Sequence, residues 1–241
     1  MAPSMEIADR SQFVEGMKRG LVVDPRRTVV MTVDMQRKYL DMEIGDSPIL
    51  PDEAERVVSH AKELLDFARS QGMPVVHAYT TRRPVELQVG SRFEYGRVGR
   101  ALGLSQLPHV QEWRGGPDRL EGSEQAEVPA LLRADSDVHM VTKKSMDAYL
   151  GSDLDYLLKA LGPETVVLTG INTDTCVYST TFSTSNRGYQ PVVISDCVAS
   201  MRGKDVHRLA LEVMSRGIAW VLTVEEFKEK VRQHLEVGSS A

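Results

Sequence analysis

Three residue types that together can activate a nucleophile each stand at the end of an apolar run in this chain. Asp34 follows Thr28-Val29-Val30-Met31-Thr32-Val33. Lys143 follows Asp137-Val138-His139-Met140-Val141-Thr142. Cys176 lies in Gly170-Ile171-Asn172-Thr173-Asp174-Thr175-Cys176-Val177, just past the run Thr165 to Thr169. An acid that can take a proton, an ammonium that favours nearby negative charge and a thiol are the parts of a cysteine nucleophile with its base. A helical pattern runs from Tyr178 to Arg187, so Cys176 is expected where a strand turns into a helix. First-turn amides have no partner within the helix and carry partial positive charge. A thiol there is expected to lose its proton more readily, and the thiolate is the nucleophile. Each residue has a plainer role. A lone cysteine is often a buried packing residue, and an aspartate after a strand often caps a turn. Of the adjacent Lys143 and Lys144 only one can point inward, because neighbouring strand residues face opposite sides.

The surrounding pattern supplies elements to hold these residues. Apolar, β-branched runs predict six strands: Thr28–Val33, Pro74–Tyr79, Asp137–Thr142, Thr165–Thr169, Pro191–Ser195 and Gly217–Leu222. Strands apolar on both faces belong to a parallel sheet covered on both sides. Between them, Val57, Val58, Ala61, Leu64, Leu65 and Ala68 make a helical stripe after Pro51-Asp52-Glu53. Further helices are expected at Leu154–Leu161, Tyr178–Arg187, Asp205–Arg216 and Glu225–Leu235, and Arg37 to Ile49 reads as loop. The expected fold is α/β, a single three-layer doubly wound domain over residues 1–241. Its sheet is six-stranded and mostly parallel, with helices on both faces. Residues 1–25 form a leading arm. Residues 80–127 are a long, arginine-rich connection, read as a lid and substrate-facing wall. In such folds ligands bind beyond the carboxyl ends of the strands, and all three reactive residues are expected at that edge.

Composition narrows the function classes. The 241 residues are 41% hydrophobic and 26% charged with a net charge of −5, which suits one globular domain and disfavours nucleic acid as a partner. No apolar run approaches the length of a membrane span. Met1 to Met17 lacks the apolar region of a signal peptide. Two cysteines make no disulfide framework, and a cytoplasmic setting is expected. No Gly-x-Gly-x-x-Gly or Walker-type loop follows any strand, which disfavours a nucleotide-binding protein.

Thr32-Val33-Asp34-Met35-Gln36, Lys143 followed by Ala148-Tyr149 and Gly151-Ser152-Asp153-Leu154, and Gly170-x-x-Thr173-Asp174-x-Cys176-Val177 resemble the isochorismatase-like cysteine hydrolases. That group includes nicotinamidases, N-carbamoylsarcosine amidohydrolase, biuret hydrolase and ureidoacrylate and maleamate amidohydrolases. The resemblance spans about Val29 to Trp220. It implies a triad of Asp34, Lys143 and Cys176, with Lys143 preferred over Lys144 by its distance from Ala148-Tyr149. It implies a cis peptide at Ile171–Asn172, and backbone oxyanion donors at Thr175 and Cys176. The implied activity is cysteine-dependent hydrolysis of a C–N bond in a small amide, ureide or carbamoyl compound through a thioester, releasing ammonia or an amine. The competing reading is a non-catalytic assembly or binding module of the same fold. True isochorismatases lack the nucleophilic cysteine, so Cys176 argues against vinyl-ether cleavage. Metal-binding nicotinamidases carry Asp-x-His after the second strand. The matching stretch here, Tyr79-Thr80-Thr81-Arg82-Arg83-Pro84, has neither, so no catalytic metal and no cofactor are expected and nicotinamide is disfavoured as substrate. Family members are commonly oligomeric, so a homo-oligomer, dimer or tetramer, is expected.

Candidate substrate contacts complete the reading. Arginine forks pair with carboxylates, and Arg82 and Arg83 lie just past the second strand, pointing to an anionic small molecule. Gln36 is placed to donate to a substrate amide. Tyr39, Trp113 and Tyr149 are candidates for an aromatic wall. His77 is expected to be a core or supporting histidine, Cys197 a packed and inert thiol, and Asp196 a structural acid.

Overall fold

Six apolar runs become six strands of one sheet: β1 Thr28–Val33, β2 Val75–Thr80, β3 Val138–Lys143, β4 Thr165–Ile171, β5 Gln190–Ala199 and β6 Trp220–Leu222. The structure is a computed structural model and describes residues 7–88, 98–99, 102 and 118–239. Every strand pairing is parallel and the order is β3-β2-β1-β4-β5-β6. The chain therefore steps outward from β1 to β3, returns to the centre at β4, and steps outward the other way. The reversal falls between β1 and β4, the crevice at which doubly wound sheets bind ligands.

The helices are α1 Ser11–Gly20, α2 Arg37–Leu40, α3 Pro51–Ser70, α4 Pro84–Gln88, α5 Leu154–Leu161, α6 Tyr178–Asn186, α7 Lys204–Ser215 and α8 Val224–Ser239. Alternate strand residues feed two separate cores. Val30, Val75, Val167, Val192 and Ile194 pack with Val57, Ala61, Leu64, Leu65 and Ala68 of α3 and Phe227 and Val231 of α8. Val29, Met31, Val33, Val76, Ala78, Val166 and Leu168 pack on the other face with Leu154 and Leu158 of α5 and Met214 of α7. Two buried faces explain why the strands read as unbroken apolar runs rather than alternating ones.

Several boundaries shift from the sequence reading, most by one or two residues, and three matter most. The stretch after Gln36 contains the short α2 rather than loop alone. β6 begins only at Trp220. β5 continues past Ser195 to Ala199, because after an irregularity its end pairs again with the end of β4, Val198 opposite Gly170 and Ala199 opposite Ile171. Among the described residues no helix is long and apolar enough to cross a membrane.

Candidate active site

β1 and β4 lie side by side with Val33 opposite Gly170, so Asp34 and the cysteine turn leave the sheet together at its central crevice. Gly170 makes this approach possible. Its φ is +124°, and a Cβ there would sit 1.9 Å from the Val33 carbonyl oxygen. Asp34 itself has φ +51°, a left-handed conformation uncommon outside glycine, asparagine and aspartate. Beyond Ile171 the peptide bond to Asn172 is cis. The next residues, Thr173–Val177, form a turn of π-helix that leads into α6. Cys176 thus sits on a single π turn rather than on the first turn of an α-helix. Such turns are uncommon and recur at functional sites.

The three residues meet. Lys143 Nζ lies 2.5 Å from Asp34 Oδ2 and 3.6 Å from Cys176 Sγ. The Asp34 Oδ1 accepts from the Thr80 N–H at 3.1 Å and from its hydroxyl at 3.3 Å. Asp34 and Lys143 are buried, and Cys176 is half-buried. Lys144 faces the other way and bonds the Thr81 carbonyl and Glu86. Simple alternation from the buried Met140 would have sent Thr142 inward. Instead Thr80 of β2 pairs with both Thr142 and Lys143, a bulge that re-aims the strand end and buries Lys143.

The electrostatics of the sulfur differ from the sequence expectation. Burial pushes the Cys176 thiol above its ordinary pKa. Lys143 opposes that shift, while the facing Asp34 carboxylate adds to it. The resting sulfur is therefore a thiol that needs an acceptor for its proton. Lys143 is held above its usual value: burial works against its charge, and Asp34 and Cys176 outweigh burial. The site at rest is an ammonium paired with a carboxylate beside a neutral thiol.

Backbone groups complete the turn. The N–H groups of Thr175 and Val177 both donate to the Asn172 carbonyl, at 3.2 and 3.0 Å. The Asn172 side-chain oxygen accepts from the Met201 N–H, and the Thr173 hydroxyl bonds His207. Asp174 is fixed by Ser200 and Arg202. The turn is braced from three sides before any ligand arrives.

The candidate substrate contacts fare unevenly. Gln36 is fully buried and spends its amide nitrogen on two carbonyls, Thr80 O and Ala126 O, each at 2.8 Å. With both N–H donors so used it holds the protein together rather than donating to a substrate. Those carbonyls stand at the two ends of the 80–127 segment. Arg83 is exposed and pairs with Glu86. Tyr149 is buried, its hydroxyl 2.9 Å from that of Thr184 and its ring beneath Arg187; it is a packing residue of the α6 face. Tyr39 is buried and accepts a 3.0 Å bond from Arg119. The Arg82 Nε lies 3.0 Å from Asp118 Oδ2, off the line of a hydrogen bond. Trp113 lies outside the described residues. Arg119 is only one among many arginines in the sequence, yet among the described residues it is the one that bonds Tyr39. Nothing in its local pattern marks it, because its partners come from α2 and from its own neighbour Asp118.

Two groups expected to be structural have structural surroundings. His77 is fully buried between the Thr32 hydroxyl and Asp137, and burial lowers its pKa to about 4. Cys197 is fully buried. Among the described residues no three His, Cys, Asp or Glu side chains stand together in a way that could hold a metal ion.

Comparison with known proteins agrees with this architecture. The chain is 29% identical over 205 residues to a probable isochorismatase of Pseudomonas chlororaphis, covering 85% of this chain and 86% of that one. It is 25% identical to the ureidoacrylate amidohydrolase of Caulobacter segnis, covering 86% of each. A crystal structure of a cysteine hydrolase from Pseudomonas syringae pv. phaseolicola 1448A superposes with a TM-score of 0.68 at 22% identity, over 89% of this chain and 96% of that one, and shows the shared fold. Residues 28–226 match the isochorismatase domain, and with that match the chain belongs to the isochorismatase family, a hydrolase family with amidohydrolase members.

Proposed function

We propose that this chain is a cysteine-dependent amidohydrolase that cleaves a C–N bond of a small amide, ureide or carbamoyl compound. The observation that carries the reading is the placement of Lys143 Nζ, 2.5 Å from Asp34 and 3.6 Å from the Cys176 sulfur. A carboxylate facing a thiol supplies the proton acceptor that the raised thiol requires.

The steps then balance as follows. Asp34 takes the thiol proton, and the sulfur attacks the substrate carbonyl carbon, forming a C–S bond and an oxyanion. The Cys176 amide donates to that oxygen, joined by the Thr175 amide once its long bond to Asn172 is shared. One such donor is typically worth about 3 kcal/mol. As the oxyanion collapses the C–N bond breaks, and Asp34 returns its proton to the departing nitrogen. Water gives a proton to Asp34 and attacks the thioester. The acid leaves, and the sulfur takes the proton back. Lys143 remains cationic throughout and offsets the negative charge that passes between carboxylate and sulfur. The same reading makes the chain one catalytic domain with the 80–127 segment as its lid, working as a homo-oligomer.

The test is turnover of a panel of small amides and ureides, scored by ammonia release, in the wild type and in Cys176→Ala. The expected loss is at least about a thousandfold. A Cys176→Ala protein that keeps most of its turnover would refute the covalent route. A protein inactive on the whole panel, with an unreactive sulfur, would favour a non-catalytic module.

A further inference from the structure

Beside the triad lies a buried cluster of charge that the hydrolytic steps do not use. Lys38 Nζ pairs with Asp46 and lies 3.2 Å from Asp118 Oδ1. Arg119 donates through Nε and Nη2 to Asp118 Oδ1, at 3.2 and 2.9 Å, and through Nη1 to the Tyr39 hydroxyl at 3.0 Å. The same tyrosine ring lies 5.9 Å from the guanidinium carbon. Arg82 approaches the other Asp118 oxygen. Among the described residues, three cations, Lys38, Arg82 and Arg119, thus face two carboxylates, Asp46 and Asp118. The triad adds one cation and one carboxylate, so with the thiol neutral the described residues of the site are one anion short.

The backbone is shaped to present Arg119. Asp118 and Arg119 have φ of +36° and +62°, two successive non-glycine residues in the left-handed region. Such conformations persist where surrounding structure over-determines them, often at ligand sites. Arg119's side chain is only 12% exposed. A guanidinium has five N–H donors, and three are used here; among the described residues one remains on each terminal nitrogen. One N–H from each terminal nitrogen is what a guanidinium needs to grip a carboxylate with two parallel bonds. The Arg119 carbonyl accepts from the Arg82 N–H at 2.9 Å, two residues past the Thr80 that holds Asp34, and its partner Tyr39 lies five residues past Asp34, which brings Arg119 to the edge of the sheet that carries the triad.

We infer that Arg119, held by Asp118 and Tyr39, is a specificity-determining residue that grips a carboxylate on the substrate, so that the chain selects small acids that also carry the scissile C–N bond. This rests on the amidohydrolase reading and deepens it. It moves the anion-reading role from Arg83, which Glu86 neutralises at the surface, to a largely shielded fork at the edge that carries the triad.

Two alkylating agents that differ in charge serve as probes. Iodoacetate and iodoacetamide both react by sulfur displacing iodide while the thiol proton leaves to Asp34 or solvent; only the first carries a carboxylate. The rate ratio of iodoacetate to iodoacetamide at Cys176, followed by mass spectrometry, is expected to exceed that of free cysteine about tenfold. It should fall about tenfold in Arg119→Met and recover in part in Arg119→Lys. A ratio like that of free cysteine, or one unchanged in Arg119→Met, overturns the assignment. Should Arg119→Met fail to fold, protection of the wild type decides. Succinate is expected to slow alkylation by iodoacetamide, and succinamide at equal concentration is not; equal effects overturn the assignment. A sulfur that reacts with neither reagent removes both readings, whereas a reactive sulfur without charge preference removes only this one.

Discussion

Cys176 follows β4 and Cys197 lies within the neighbouring β5, and each has an aspartate and a cation close by, yet the charged groups around them are used differently. Burial pushes both thiols up. At Cys197 the neighbouring Asp196 already holds the Val224 N–H at the start of α8 with both oxygens, 3.1 Å each. The nearby Arg56 donates to the carbonyls of Ser195, Asp196 and Val198 and to Glu53. The sulfur itself is sealed in the α3 core. At Cys176 the carboxylate and the ammonium are turned on each other and on the sulfur, and the residue is only half-buried. Composition around the two thiols is alike. What differs is whether the charged groups are already committed to backbone, and whether the cysteine is fully buried.

That contrast can be broken in order of expected effect. Lys143→Met removes the stronger of the two cations, Lys143 and Arg119, that oppose the rise of the Cys176 thiol, and takes from Asp34 its ammonium partner. Turnover should drop about a hundredfold. A thiol held above its ordinary value gains reactive thiolate only as pH climbs, so wild-type alkylation by iodoacetamide should keep rising past pH 9. In Lys143→Met the same rise should move to still higher pH. Alkylation that saturates near neutrality in either protein would contradict the assigned electrostatics. Lys144 cannot take over, because the bulge that turns Lys143 inward turns Lys144 out.

A smaller effect is expected from Gln36→Leu, which keeps the volume but leaves the Thr80 and Ala126 carbonyls without donors. Each buried unpaired group costs about 1–3 kcal/mol. The melting temperature should fall by roughly 5–10 °C, and turnover by about tenfold through the loosened Thr80 grip on Asp34. Turnover at the wild-type level in a folded Gln36→Leu would show that Thr80 needs no such support. The smallest effect belongs to Cys197→Ala: about 1 kcal/mol of stability in a denaturant melt, with turnover and Cys176 alkylation unchanged. A large loss of turnover there would erase the distinction between the two thiols.

Much of this could be read from the chain. The strands are legible because both faces are buried, and the acid, base and thiol are legible because each ends such a run. The orientation of Lys143 is not, since it depends on a bulge created by pairing with β2. The fate of Gln36 is hidden for a similar reason: its carbonyl partners lie 44 and 90 residues away. Arg119 is invisible because its meaning comes from Tyr39 and from two left-handed backbone positions, and no local periodicity encodes either. Tyr149 misleads in the opposite sense. Its place in the motif suggests a wall for a ligand, but α6 claims it for packing through Thr184 and Arg187.

The single glutamine that ties Thr80 to Ala126 has a wider consequence. A stretch whose two feet are fastened at one point is, to the rest of the molecule, a closed ring. Doubling the length of such a ring costs only about 0.6 kcal/mol in closure entropy. New residues can therefore be spliced between those feet, or old ones cut away, while the acid, ammonium and sulfur stay where the sheet puts them. The fold separates the sheet edge, which must be kept fixed, from a connection whose length is free to vary.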